Sequence, residues 1–132
     1  IRVNDPIVDS VDGTDEFPDT LAMVSPYKRL KIGDDGEYHL QKGSIGLIQF
    51  KNKRMFNAFI ISHEAVHCAS TYCRYFEPEA LNFAGEDINA SEERFADIVC
   101  HFVDMITDYY YDVIIGEKVT NQVKELLDIT ES

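Results

Sequence analysis

Basic residues are scarce in this chain: 12 Lys and Arg stand against 24 Asp and Glu, a formal charge of −12. Phosphate contacts need clustered Lys and Arg, so direct binding to a nucleic-acid backbone is disfavoured. An anionic membrane surface is disfavoured for the same reason. No apolar run has the length of a membrane span. No leader pattern is visible either, because the first residues are acidic and short of apolar side chains. Tryptophan is absent, and 8 Phe and 7 Tyr supply the aromatic mass. Cysteine is limited to Cys68, Cys73 and Cys100. An odd number at irregular spacing does not make a disulfide framework, and reduced thiols in a cytoplasmic protein fit better. There is no internal repeat and no low-complexity stretch.

What remains is a globular composition. Apolar residues make up 45% of 132 positions, enough for one domain to bury a core without disulfides. Residues 1–36 read as an irregular arm, punctuated by Pro6, Pro18 and Pro26 and by turns at Gly13, Gly33 and Gly36. Its stretch Asp5 to Asp19 holds six acids and no base. Asp34-Asp35-Gly36 is a turn signal that can close a hairpin, and a short strand is expected near 37–41. After a turn at Gly43-Ser44, Ile45 to Phe50 reads as a strand, and Lys51 to Arg54 as a basic break.

Helical spacing of Phe56, Phe59, Ile60, His63, Val66 and His67 predicts a helix from about Met55 to about Tyr72. A loop holding Pro78 and Gly85 follows. Asn89 and Glu92 resemble a capping box for a second long helix, whose apolar stripe is Phe95, Ile98, Val99, Phe102 and Ile106. Gly116 is expected to break it. A last helix over about 117–129 is expected to bury Val119, Val123, Leu126 and Leu127, while Cys68 and Cys100 read as buried packing residues. The whole is an α+β domain: a small antiparallel sheet followed by helices, with residues 37–132 forming the domain proper.

The chemistry concentrates in His63-Glu64-Ala65-Val66-His67. Histidines four apart on a helix project from one face, one turn apart, so two imidazoles can reach one Zn²⁺ at about 2.0–2.1 Å. Glu64 is rotated about a third of a turn from His63, placed to hold a water and take its proton rather than to ligate. A chance match in a chain this long is expected on the order of once in a few hundred.

A catalytic zinc site needs a third protein ligand. Glu93, near the start of the second helix, is the best candidate, and Glu92 the alternative. Asp97, one turn on, can accept a hydrogen bond from the outer nitrogen of a ligand histidine. His101, one further turn along, is a polar helper, a ligand in place of Glu93, or a half-buried histidine. Cys73, ten residues after His63, is a further thiolate candidate.

These residues resemble the gluzincin metallopeptidases: His63-Glu64-x-x-His67 on one helix and Glu93-x-x-Ala96-Asp97 on a later one. The run Arg54 to His67 and the segment Glu92 to Asp97 look like the ImmA/IrrE-type subgroup of bacteria and their phages. The likeness covers roughly residues 45 to 105, with Val66 where the subgroup has glycine. It implies a minimal zincin-like fold and zinc-assisted hydrolysis of a protein or peptide, with His63, His67 and Glu93 on the metal and Glu64 as general base. His101 or one of Tyr109, Tyr110 and Tyr111 would supply a second electrophilic donor. The strand ending at Phe50 would offer an edge to an extended peptide. Two other functions fit the composition: a non-catalytic zinc-stabilised module that captures a protein, and an acidic phage-type inhibitor of a host protein.

Overall fold

A computed structural model of the chain describes residues 1–8, 15–26, 30–32, 34–36, 38–40 and 46–131. The turns expected at Gly13, Gly33 and Gly43-Ser44 lie outside them. The architecture is α+β, with strands first and helices after. The strands are β1 (Arg2–Val3), β2 (Ile7–Val8), β3 (Glu16–Phe17), β4 (Ala22–Pro26), β5 (Leu30–Ile32), β6 (Tyr38–Leu40) and β7 (Gly46–Phe50). The helices are α1 (Ala58–Phe76), α2 (Ile88–Tyr109) and α3 (Gly116–Glu131).

The main sheet has the order β1-β7-β4, with β4 antiparallel and β1 parallel to β7. It is therefore mixed and not purely antiparallel. Ala22 faces Phe50 and Val24 faces Ile48 across the β4–β7 ladder, while Arg2 faces Gln49 on the other side. The described parts of residues 1–36 are more regular than expected: they supply β1 and β4, both partners of the central strand. They also supply the β2–β3 ladder and β5, which pairs with β6 across a turn where Gly36 takes a φ of +78°. That left-handed backbone is the reason a glycine stands there.

β7 is apolar except at Gln49, which is fully buried. Its amide is satisfied by the arm: Nε2 donates to the Val8 carbonyl at 2.8 Å and Oε1 accepts from the Val8 N–H at 3.3 Å. A buried amide with partners on both ends avoids the desolvation penalty of an unpaired one. On the opposite face Phe50 stacks on Phe56 at 4.1 Å, and Phe56 in turn meets Tyr109 and Tyr110. Ile61, Ala65, Cys68, Ile106 and Ile114 complete this cluster, which joins sheet, α1 and α2. A second cluster of Ala69, Cys73, Ala80 and Ile98 packs the far end of α1 on α2.

α1 starts where Asn57 caps it, its Oδ1 accepting the Ile60 N–H at 3.0 Å. It ends at Phe76, before Glu77-Pro78, since proline disfavours helical backbone in the residue before it. α2 begins after Asp87, which makes no side-chain cap bond; Asn89 and Glu92 lie inside the helix, so the expected capping box is not formed. Ser91 turns instead to the preceding segment, donating its hydroxyl to the Glu79 carbonyl at 3.0 Å.

Gly116 does not break the chain. Helical backbone runs from α2 through a π segment, Tyr110–Ile115, into α3, and Gly116 is helical with φ −57° and ψ −45°. Glycine costs a helix interior only about 1 kcal/mol, too little to end a helix held from both sides. The expected burial of α3 is also corrected: Val119, Val123, Leu126 and Leu127 are all exposed, and Ile114 is the last residue of this helical run in the core cluster. Cys68 and Cys73 are buried, but Cys100 is exposed. Among the described residues no helix is long and apolar enough to cross a membrane.

Candidate metal centre

His63 and His67 stand on the outer side of α1, and their Nε2 atoms converge to 3.2 Å. Two nitrogens on one zinc at about 2.0–2.1 Å, set at a tetrahedral angle, lie about 3.3 Å apart. The observed separation also suits a proton shared between the two rings. Both rings are exposed, and Phe59, itself 80% exposed, stacks on His63 at 6.4 Å.

Glu64 takes the next position around the helix and turns inward. Only 5% of it is exposed, and its Oε2 is buried with no hydrogen-bond partner. Burial pushes its carboxyl up from the ordinary carboxylate range, and the neighbouring His67 and His63 draw it partly back. A buried carboxylate near two imidazoles, with one oxygen unpartnered, is a group that can accept a proton.

Burial of Glu64 has a thermodynamic consequence. In the unfolded chain its pKa is ordinary, while in the folded chain it is raised. Near the ordinary carboxylate pKa and below, the buried neutral acid is tolerated. As pH rises through the folded pKa, the fold must hold an ionised carboxylate and loses stability. In metal-free protein, Glu64→Gln should therefore raise the melting temperature at neutral pH, and the gain should shrink as pH falls into the carboxylate range. Melting curves of both proteins in chelator across that range check this; a gain that does not depend on pH would contradict it.

The remaining expected ligands are not brought to the pair. Glu93, Asp97, Cys100 and Asp104 recur at helical spacing and are all exposed on the solvent face of α2. The register of the two helices moves Glu93 further away. Arg94, its neighbour, forks onto Glu77 at 2.7 and 2.8 Å, beyond the last turn of α1. Glu77 is ten residues past His67, about 15 Å along the helix axis. Asp97 lies near Arg94. His101 is exposed and lines a hollow with Tyr72, Arg94, Ile98 and Phe102. Cys73 is packed in the second apolar cluster. Glu92 is exposed as well. Tyr109 and Tyr110 pack around Phe56, and Tyr111 is exposed against Tyr110. Among the described residues no third His, Cys, Asp or Glu completes a group that could hold a metal.

The strand expected to offer a peptide edge is also placed differently. β7 is the middle strand, paired on both sides over its last two residues, whereas β4 is an outer strand of the sheet. The donor set thus fits zinc as far as two imidazoles and an adjacent base, and Glu93 does not complete it. Sequence reading passed over one further group, the cations Lys53, Arg54 and Lys118, which line a common groove. Two adjacent bases in an acidic chain were its visible signal. No family model, curated protein or solved structure matches this chain.

Proposed function

We propose that the protein is a zinc-dependent peptide hydrolase in which His63 and His67 hold the metal and Glu64 is the general base. The observation that carries this reading is the 3.2 Å approach of the two Nε2 atoms beside a buried carboxylate with an unpartnered oxygen. Zinc at this position would polarise a carbonyl and lower the pKa of water towards neutrality. The histidines present their Nε2 atoms outward on an open face of α1, where an extended substrate can approach. Glu64, one position from His63 on α1, would be the group to take the proton of a zinc-activated water and return it to the leaving amine.

A second reading is favoured by one observation: Glu93 faces solvent, and no third donor is found among the described residues. Zinc would then be gripped by two imidazoles alone, as in a non-catalytic module that uses the metal to capture a protein.

Metal content decides whether either reading stands. Protein purified without added zinc should contain one equivalent by mass spectrometry. His63→Ala and His67→Ala should each lose it while keeping the far-ultraviolet spectrum. Zinc retained in both variants, or none in the wild type after incubation with excess Zn²⁺, removes the proposal.

A further inference from the structure

We propose that the groove between the 3-10 turn Lys53–Met55, the π segment and α3 binds a small organic anion, a carboxylate or phosphate group carried on an apolar body. The groove holds about 520 Å³. Three of the chain's 12 basic residues, Lys53, Arg54 and Lys118, line it against one carboxylate, Glu125. All three cations are exposed, and the ion pair between Arg94 and Glu77 is remote from them. In a chain of charge −12, three cations left without an acidic partner around one hollow form a local reversal of sign. An anion placed there gains charge-assisted hydrogen bonds that the protein itself leaves unmade.

The rest of the lining defines the body of the ligand. Tyr110, Ile114 and Ile115 form an apolar floor, and Asn121 and Gln122 add amides that can donate or accept at the rim. That floor belongs to the π segment, where the Gly116 N–H reaches back five residues to the Tyr111 carbonyl. π turns are rare in helices and gather at functional sites, where they re-aim side chains that an α-helix would present elsewhere. The irregular helix and the cationic lining are separate observations on the same hollow. The inference does not rest on zinc, since none of these residues touches His63, Glu64 or His67.

The full chain, labelled with ¹⁵N, is titrated at low ionic strength with inorganic phosphate in one arm and 4-phenylbutyrate in the other. Saturable amide shifts gathered around residues 53–54 and 114–122 are expected in at least one arm. Stronger binding of phosphate identifies a phosphorylated ligand, and stronger binding of phenylbutyrate an apolar carboxylate. Arg54→Glu combined with Lys118→Glu, both on exposed side chains, should weaken binding by about tenfold or more. Lys124→Glu, on a neighbouring surface beside Asp112, should leave it unchanged. The proposal is overturned by the absence of saturable shifts in both arms, by shifts spread over all lysines and arginines, or by full binding in the double variant.

Discussion

Glu64→Gln should keep its zinc and lose peptide hydrolysis by about 10²–10⁴-fold, the usual contribution of a positioned general base. The substitution preserves shape and removes only the proton-accepting oxygen. The imidazoles that hold the metal are untouched, so zinc stoichiometry should stay at that of the wild type. The loss should fall on turnover and not on substrate affinity, because the interaction exists only as the proton moves. Cleavage of a quenched-fluorescent peptide library, read together with metal content, checks both halves. The melting-temperature gain expected for the metal-free variant separates lost chemistry from lost structure. A variant that cleaves within a few-fold of the wild type would take Glu64 out of the reaction. If the wild type binds zinc and cleaves nothing, the capture module becomes the better description.

Phe50→Ala should destabilise the fold by about 3–5 kcal/mol, the range for deleting a large aromatic side chain from a core. Phe50 is fully buried and lies at the meeting of three parts of the molecule. Its backbone pairs with β4 on one side and β1 on the other, and its ring stacks on Phe56. Phe56 in turn precedes the Asn57 cap that starts the histidine-bearing helix. Losing the ring opens a void beneath that cap, so the cost is the transfer free energy of the ring plus the unfilled space. Val123→Ala, on the exposed face of α3, should stay within about 0.5 kcal/mol. Urea denaturation of the two variants, with slopes matching the wild type, tests the contrast. A Phe50 variant within 1 kcal/mol of the wild type, taken as roughly the low tail of such core deletions, would show that the sheet and α1 do not share this core.

The parts of the molecule visible in its amino-acid order are those with short-range causes. The spacing of Phe56, Ile60, His63 and His67 is periodic within one helix, and so are the positions of Ile98, Phe102 and Ile106; both helices form where expected. Gly36 could be recognised because a tight reversal needs left-handed backbone, a purely local demand. The arm escaped because its strands are two to five residues long, too short for alternation to show, and the partner of β1 and β4 lies far away in the chain. Val8 finds Gln49 across forty-one positions, and no window around either residue contains the other.

Glu93 illustrates a different limit. Its spacing to Asp97 was legible, and the two do share a face. Which face meets α1 is decided by the apolar stripe, and Ile98 and Phe102 claim that side. The carboxylates are left pointing outward. The exposure of α3 escapes the sequence for a related reason: amphipathic spacing says which side of a helix would be covered, and not whether anything is there to cover it.

The buried side-chain amide of Gln49 ties the first eight residues to the stability of everything downstream. Were that leading segment clipped away, a donor and an acceptor would be stranded in the protein interior, with water as their only remedy. Cleavage of the backbone between Val8 and β4 should for that reason loosen the whole molecule cooperatively.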